Sequence, residues 1–360
     1  MAQLSRRNVL RGLTGAAAVG TMSWAATNPA NALIGTGSTV KTLVLNAWFG
    51  GTAVPGGVDM VVEIIKQTGA TIVFLPEAKS TTSDIVQKLN ASGATFDFRM
   101  SGSTAVISAY PIAETATLPF MTKAVLTVGT VQIAAYAAHL QYQWYATYLP
   151  RGYGAGVPSG EFSEYGWKKI PSGPITDPAA LKRVNIASGR PDAVNRFIAD
   201  ARSERLLGRV VLLGGDFNEP STLDWTEATA NRFDHNGVVM PWQSTQALKD
   251  AGFTDDFRRK YPDPVRNPGF TWPASNPNAA VSSLSWAPEA DERDRIDYLF
   301  HFADPRLGWQ DTQLVGPRGS IVRNQRVDES SNETFLLSDA AWPTDHKGVL
   351  SSYTLLNISK

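Results

Sequence analysis

The stretch LLGGDFNEPS at residues 212–221 joins an apolar run to a group of polar side chains. The run ends at two glycines, and Asp216 and Asn218 follow two residues apart before a turn that contains Pro220. Side chains two residues apart on an extended chain face the same way, so we expect Asp216 and Asn218 to point to one place. The two glycines are interpreted as clearance that lets the end of a buried strand open directly into a cleft.

Polar side chains also mark the ends of other apolar runs. They are Asn46 after TLVL, Glu77 after TIVFLP, His139 after VQIAAYAA, Asp297 in DRIDYLF, and Asp345 with His346 before GVLSSYTLL. Taken singly, each is more typical of a turn residue or a solvated charge. Because such groups are costly to bury without partners, their repetition at separate strand ends indicates one shared cleft. His235 and His301 lack similar neighbours and are interpreted as surface or structural residues.

Several other kinds of site are excluded by the spacing of residues. An EF-hand calcium loop that starts at Asp216 would place Pro220 where an oxygen ligand is needed and Ser221 where glycine is needed. A zinc site is disfavoured because the chain has no Cys and no His-Glu-x-x-His pair. The chain also lacks a Gly-x-Ser-x-Gly elbow and a Walker-type phosphate loop.

Apolar runs and helical periodicity together predict a layered α/β protein. The runs that read as strands buried on both faces lie at residues 42–45, 71–75, 131–138, 209–213, 296–300 and 349–356. Helix-like stretches lie at residues 58–67, 83–89 and 192–205. This mixture indicates stacked sheets covered by helices.

Two irregular regions interrupt this pattern, at residues 141–178 and 262–292. The first carries seven Tyr and Trp side chains among Gly and Pro, and its aromatic content favours an ordered, functional insertion. Arg151, Lys168 and Lys169 in this insertion are interpreted as solvated surface residues, with contact to a second phosphate as the alternative. Because no linker divides residues 33–360, we expect a single domain with an aromatic-rich insertion at about 141–178.

Residues 1–32 read as a twin-arginine export signal. Arg6 and Arg7 stand in SRRNVLR, a mildly apolar Ala/Gly-rich stretch follows, and ANA at residues 30–32 offers a cleavage site. The alternative interpretation is a basic tail. Since twin-arginine export carries folded proteins, the mature chain is expected to begin near Leu33 and to be secreted or periplasmic, with no stable membrane span.

The composition limits the class of partner. The chain has 43% hydrophobic residues, enough for a sizeable core, and 33 basic against 33 acidic side chains. Loss of Arg6, Arg7 and Arg11 with the signal would leave a mildly acidic protein, which disfavours tight, sequence-independent nucleic-acid binding. The absence of Cys excludes a disulfide scaffold and thiolate metal sites.

The order of the motifs resembles that of the endonuclease/exonuclease/phosphatase superfamily, which has the deoxyribonuclease I-like fold. The matching motifs are LNAW at Asn46, LPEA at Glu77, AVISAYPI at residues 105–112, AAHL at His139, GGDFNEPS at Asp216 and Asn218, FTW at Trp272, DRIDYLF at Asp297, and PTDHKGVL at Asp345 and His346. The resemblance implies a four-layer α/β sandwich, in which two mixed β-sheets pack together with helices outside. The chain departs from the family in having LPE where LQE is frequent, and in the aromatic insertion after His139.

The resemblance also implies a metal site. Phosphate-ester hydrolysis must neutralise charge on the phosphoryl oxygens, deliver water in line and help the leaving oxygen to depart. Glu77 and Asp345, with Asn46 nearby, would hold a hard divalent ion through oxygen ligands. Mg²⁺ is the expected ion, and Mn²⁺ or Ca²⁺ are alternatives.

The other polar residues are assigned to catalysis by the same resemblance. His346, paired with Asp297, would orient or deprotonate the attacking water. Asp216 and Asn218 would position that water and the phosphoryl group. His139 would hydrogen-bond a phosphate oxygen or protonate the leaving group.

We therefore expect a secreted, metal-dependent phosphoesterase. Its substrate is expected to be a phosphomonoester or phosphodiester of a small organic molecule, a lipid head group or a glycan, with the aromatic insertion contacting a base, a sugar ring or an acyl-bearing group. The alternatives are an extracellular nuclease, and a sugar- or lipid-binding module on the same fold. The substrate, the number of metal ions and the oligomeric state stay open at this point.

Overall fold

The computed structural model of the protein describes residues 37–356. The predicted export signal at residues 1–32 therefore lies outside the described residues. Fifteen strands are present in the described range. They are β1 (Gly37–Val44), β2 (Ile72–Pro76), β3 (Asp97–Ser101), β4 (Thr104–Ser108), β5 (Ile112–Leu118), β6 (Met121–Val128), β7 (Val131–His139), β8 (Val210–Asp216), β9 (Phe253–Asp255), β10 (Asp297–Phe302), β11 (Leu307–Val315), β12 (Gly319–Val322), β13 (Gln325–Asp328), β14 (Phe335–Leu336) and β15 (Gly348–Leu356).

Seven helical segments connect these strands within residues 37–356. They are α1 (Trp48–Gly51), α2 (Gly57–Thr68), α3 (Thr81–Ala91), α4 (Pro178–Ala187), α5 (Arg190–Leu206), α6 (Gln243–Asp250) and α7 (Asp256–Lys260). α4 begins with proline, and the side chain of Asp177 caps its free N–H groups. α2 ends at Gly69, which adopts the left-handed conformation that closes a helix. None of the helices in the described range is long and apolar enough to cross a membrane.

The strands form two large mixed sheets. The first has the order β14-β11-β15-β1-β2-β4-β3, and the second has the order β5-β6-β7-β8-β10-β9. β1 and β2 are parallel neighbours in the first sheet, and β7 and β8 are parallel neighbours in the second. Since parallel neighbours end at the same edge of a sheet, each sheet brings two strand ends together.

Three apolar clusters hold four layers together. The central cluster lies between the sheets and contains Val44 and Phe74 from the first and Leu212 and Leu299 from the second. A second cluster packs α2 and α3 on the outer face of the first sheet, and a third packs α5 and α6 on the outer face of the second sheet. The four-layer α/β sandwich expected from the sequence is confirmed.

All six strands and all three helices read from the sequence are present. The other strands were not predicted, and many of them are short or exposed: β5 buries no residue fully, and β13 is exposed along its whole length. The aromatic insertion contains only two short 3-10 turns before α4. Its side chains nevertheless form apolar clusters, in one of which Tyr145, Tyr148 and Tyr153 pack with Trp272.

The interpretations of Arg151 and of the two glycines were wrong. Arg151 is buried instead of solvated, because Nη1 and Nη2 donate to Asp294 at 2.6 and 3.1 Å. The glycines at 214 and 215 do not open the strand into a cleft. A Cβ on Gly214 would lie 2.3 Å from the ring of Phe74, and a Cβ on Gly215 would lie 2.0 Å from the carbonyl oxygen of Ala138. The space beside the two glycines is filled by side chains of the opposite sheet and by the backbone of the neighbouring strand.

Candidate active site

The polar residues at the strand ends meet at one edge of the sandwich. In the second sheet Asp216 at the end of β8 lies opposite His139 of β7 and Asp297 of β10. In the first sheet Asn46 and Glu77 follow the parallel strands β1 and β2. The strand order therefore gathers residues that are far apart in the sequence.

Asn46 connects the two sheets through its buried side chain. Its amide nitrogen donates to Asp216 Oδ2 at 3.0 Å and lies 3.4 Å from Glu77 Oε1. Its amide oxygen accepts from the backbone N–H of Trp48 at 2.9 Å, which fixes the orientation of the amide. Asn46 thus holds a carboxylate of each sheet in one place, although it offers its N–H group, and not its oxygen, to this side of the site.

Glu77 and Asp345 provide carboxylates that suit a divalent cation. Glu77 Oε2 accepts from the N–H of Phe49 at 2.7 Å, and Asp345 Oδ2 accepts from Trp272 Nε1 at 3.2 Å. Burial raises the pKa of Asp345, and the charge of Glu77 adds to that effect. Within residues 37–356 neither carboxylate forms an ion pair with Lys or Arg. Two carboxylates without a Lys or Arg partner are a fitting donor set for a hard ion such as Mg²⁺.

His346 is paired with Asp297, as the family resemblance implies. His346 Nδ1 lies 2.9 Å from Asp297 Oδ2, and both side chains are buried. Burial opposes a charge on the imidazole, but the carboxylates of Asp297, Asp345 and Asp216 outweigh burial and raise the pKa of His346 to about 10. The imidazole is therefore charged near neutral pH.

Asp216 lies between the two histidines of the site. Its Oδ2 atom is 3.9 Å from Nε2 of His139 and 3.8 Å from Nε2 of His346. Burial raises the pKa of Asp216 to about 7, with a further contribution from Asp297, and the charge of His346 acts in the opposite direction. A carboxyl group with such a pKa can exchange a proton near neutral pH.

His139 differs from His346 in its surroundings. Its Nδ1 atom lies 2.9 Å from Ser103 Oγ, a neutral partner on the loop between β3 and β4. Burial lowers the pKa of His139 below its usual range. The site therefore combines a neutral imidazole and a charged one on opposite sides of Asp216.

Asn218 reaches the site by a route that the sequence did not indicate. β8 ends at Asp216, and Asn218 has a φ of 46°, so the two residues do not alternate along an extended strand. Instead the N–H of Asn218 donates to Asp216 Oδ1 at 2.8 Å, and Asn218 Nδ2 donates to the carbonyl oxygen of Leu140 at 3.1 Å. A side-chain turn of this kind is favoured by Asp and tolerated by Asn in the left-handed region.

Asp216, Asp297 and His346 form a second group close enough to share one ion, with a ligand atom from each within 4.8 Å of the others. His346 would have to lose its proton to act as a ligand, although its surroundings raise its pKa. Glu77 and Asp345 need no such change. The charges in the described range therefore favour the carboxylate pair as the metal site.

These residues line one cavity of about 510 Å³. Glu77, His139, Asp216, Asn218, Asp345 and His346 contribute to its wall, while Asn46 and Asp297 lie behind that wall. The remainder of the wall is mostly aromatic and includes Tyr142, Tyr145, Tyr148 and Trp167 of the insertion.

The sequence did not reveal some residues of the cavity. Ser103 lies in a short turn and has no signature that relates it to His139. Trp286 and Lys79 stand in loops outside the motifs, and Trp272 belongs to the FTW motif but had no assigned role. The aromatic content of the insertion was the one signal that pointed to part of this set.

A profile of the endonuclease/exonuclease/phosphatase family matches residues 43–346. Among curated proteins, the chain is 33% identical over 147 residues to an uncharacterized protein of Caenorhabditis elegans, F14F9.5. That match covers 41% of each protein, so the chain matches about two fifths of the length of this relative.

Solved structures with related folds have low sequence identity to the chain. Truncated TDP2 of Caenorhabditis elegans is 13% identical, with a TM-score of 0.47 over 88% of this chain and 97% of that chain. An endonuclease/exonuclease/phosphatase of Beutenbergia cavernae is 13% identical, with a TM-score of 0.48 over 88% and 72%. TDP2 of D. rerio, solved with a single strand DNA product, is 14% identical, with a TM-score of 0.47 over 88% and 99%.

Proposed function

Because the chain belongs to the endonuclease/exonuclease/phosphatase family, we propose that it is a divalent-metal-dependent phosphoesterase that hydrolyses a phosphomonoester or phosphodiester by in-line attack of water. Members of this family hydrolyse phosphoester bonds. The observation that carries the proposal for this chain is the bridge from Asn46 to Asp216. It joins the first sheet, which carries Glu77 and Asp345, to the Asp216 carboxylate of the second sheet, which lies 3.9 and 3.8 Å from the two histidines.

Glu77 and Asp345 would hold the ion, with Mg²⁺ as the expected species and Mn²⁺ or Ca²⁺ as alternatives. When bound, the ion supplies positive charge that stabilises the phosphoryl oxygens. Asn46 and Trp272 hold the two carboxylates in position through their N–H groups. These contacts leave other carboxylate oxygen lone pairs free for a ligand role.

The protonation states of His346 and Asp216 indicate which residue accepts a proton in the proposed reaction. His346 carries a proton near neutral pH, so it is suited to donate a hydrogen bond to a phosphoryl oxygen and less suited to deprotonate water. Asp216 has a pKa raised to about 7, so we propose that it accepts the proton of the attacking water. This differs from the expectation that His346 would orient or deprotonate the water and that Asp216 would position it.

His139 and Asn218 complete the set. His139 is neutral, and Ser103 holds its Nδ1 atom, so Nε2 is left for a phosphate oxygen or the leaving oxygen. The amide nitrogen of Asn218 donates to the carbonyl oxygen of Leu140, so its amide oxygen stays available to orient the water.

We also propose that the twin-arginine pattern at Arg6 and Arg7 directs export, which places the protein in the periplasm or outside the cell. The support is the sequence of residues 1–32. Replacement of both residues by Lys should keep the precursor inside the cell, and immunoblots of cell fractions from a bacterium with a twin-arginine system check this. Equal export of the variant would contradict the proposal.

A panel of substrates tests the phosphoesterase proposal. The purified chain is assayed on bis(4-nitrophenyl) phosphate, 4-nitrophenyl phosphate, plasmid DNA and a phospholipid, each with Mg²⁺ and with EDTA. We expect Mg²⁺-dependent hydrolysis of a small ester. Much faster cleavage of DNA would favour the nuclease alternative, and no hydrolysis together with glycan or lipid binding would favour the binding module.

A further inference from the structure

Part of the cavity wall is aromatic, and three of its rings take no part in the proposed hydrolysis. Tyr142 and Trp286 are 51% and 43% exposed, and Trp167 is half-buried between them. Large aromatic side chains with exposed faces inside a concave site lose apolar contact with water when a ligand covers them. These three residues are called the aromatic wall below.

Contacts between the three rings and with the backbone fix the shape of the aromatic wall. Trp167 lies at its centre, with its ring 6.4 Å from that of Tyr142 at an angle of 14°, and 4.8 Å from that of Trp286 at an angle of 75°. The ring of Trp167 rests on Gly156, where any Cβ would lie 2.0 Å from the indole. The wall therefore offers a broad apolar face of fixed shape.

Glu292 holds Trp286 on this wall. The carboxylate of Glu292 is fully buried, and its Oε2 atom accepts from Tyr148 Oη at 2.6 Å and from the N–H groups of Trp286 at 3.1 Å and Ala287 at 3.0 Å. Its Oε1 atom accepts from Ser285 Oγ at 2.5 Å. One carboxylate thus fixes the backbone that carries Trp286 to a ring of the cavity wall.

The charged side chains of the cavity include the cationic His346 as well as three carboxylates. Among the described residues of the wall, Lys79 is the one Lys or Arg side chain, against the carboxylates of Glu77, Asp216 and Asp345. Arg151 lies nearby but is held by Asp294. A phosphodiester carries one negative charge and two ester arms, whereas a monoester carries up to two charges and one arm. A diester fits the two sides of this cavity, with the phosphate at the polar side and one arm on the aromatic wall.

We propose that Tyr142, Trp167 and Trp286 form a subsite for an uncharged ring on one arm of a phosphodiester, and that Glu292 is a positioning residue for this subsite. The proposal rests on the phosphoesterase function above and narrows its substrate class. The ring can belong to a nucleobase or a sugar, since both offer an apolar face to Tyr and Trp.

Calorimetric titration of the full chain in Ca²⁺ buffer tests the subsite by binding alone. We expect diphenyl phosphate to bind at least about ten-fold more tightly than dimethyl phosphate, the scale of stacking on one aromatic residue. Trp286→Ala and Tyr142→Ala should reduce this ratio by about five-fold or more. Leu206→Ala, which removes an 89% exposed side chain outside the cavity, should leave the ratio unchanged.

Glu292→Gln tests the positioning role, because it keeps every ring and replaces one acceptor oxygen by a donor. We expect the ratio of the two affinities to fall while binding of dimethyl phosphate is retained, a change that general loss of structure does not produce. Ser285→Ala removes a single donor to Glu292 and should cause a smaller fall in the same direction. If Glu292→Gln does not fold, Ser285→Ala carries the test, and an unchanged ratio in the folded variant overturns the positioning role.

Two further ligands identify the source of the ring. Thymidine 5′-(methyl phosphate) carries a nucleobase, and glucose 1-(methyl phosphate) carries a sugar ring. Tighter binding of either one than of dimethyl phosphate supports the subsite and names the ring. If no ring-bearing diester binds more tightly, the subsite is refuted even where the chain hydrolyses diesters. Ring preference without hydrolysis in Mg²⁺ refutes the phosphoesterase function instead.

Discussion

At the scale of single residues, the site depends on where protons reside. His346 and Asp297 are joined by a hydrogen bond of 2.9 Å in a buried environment, and His346 is charged because three carboxylates surround it. Asp297 does not line the cavity, so it acts through His346. Loss of either partner should therefore remove the same contribution to catalysis.

A double-mutant cycle tests this dependence. Asp297→Asn and His346→Gln should each lower kcat by about 100-fold, the scale of one hydrogen-bond donor to charge that develops in the transition state. The double variant should be no more than a few-fold slower than the slower single variant, because the second change removes nothing further. The measurement is steady-state hydrolysis of bis(4-nitrophenyl) phosphate in Mg²⁺. Multiplicative losses would mean that Asp297 has a separate role.

His235 gives a prediction for stability against pH. It is buried and stacked on Trp225, with ring centroids 3.6 Å apart. Burial, with the charge of Arg151, lowers the pKa of His235 to about 2, so the folded protein keeps this ring neutral. The unfolded chain binds a proton below pH 6.5, hence His235 reduces stability as pH falls from about 6.5 towards 2, by up to about 1.4 kcal/mol per pH unit.

His235→Phe keeps a ring beside Trp225 and removes this titration. The free energy of unfolding of the variant should therefore fall less steeply than that of the wild type between pH 6.5 and pH 5. Urea unfolding followed by tryptophan fluorescence at several pH values measures both slopes. Equal slopes in the two proteins would show that His235 is not kept neutral by the fold.

At the scale of elements, Gly214 fits β8 to the opposite sheet. A Cβ at this position would lie 2.3 Å from Phe74 of β2 and 2.7 Å from Val44 of β1. Gly214→Ala should therefore lower the free energy of unfolding by about 1–3 kcal/mol, the cost of overpacking a tight core. Gly308→Ala is the matched control, because its nearest atom would be 3.5 Å away. Urea unfolding of both variants checks this, and an equal effect of the two substitutions would contradict the packing argument.

Two of the predicted strands have residues that face apolar layers on both sides, whereas β4 is equally buried and was not predicted. β2 and β8 are buried along their whole length, and their continuous apolar runs reveal them directly. β5 and β13 lie exposed, and their polar residues give no such run. Their strand structure depends on pairing with β6 and β12, which is a property of the fold and not of the local sequence.

The candidate site was predictable to the extent that it lies at strand ends. Asp216, His139 and Asp297 follow directly from strand order, because they occupy adjacent register positions. The Asn218 turn was misread, since its left-handed backbone cannot be read from alternation. Ser103 and the loop of Trp286 were missed because long-range packing, which has no local signal, brings them to the cavity.

At the scale of the whole molecule, the site spans the junction of the two sheets. Of the proposed metal carboxylates, Glu77 follows β2 and Asp345 precedes β15, both in the first sheet. Asp216 ends a strand of the second sheet, and Asn46 lies between Glu77 and Asp216. The relative positions of the site residues therefore depend on how the two sheets pack together.

Titration of the EDTA-treated protein with Mg²⁺ tests the central claim most directly. The rate of hydrolysis of bis(4-nitrophenyl) phosphate should rise from background to saturation. Glu77→Gln should need at least about ten-fold more Mg²⁺, since it replaces a charged ligand by a neutral one. Glu63→Gln, on the exposed face of α2, should behave as the wild type. A rate that EDTA leaves unchanged, or no hydrolysis at any Mg²⁺ concentration, would contradict the account.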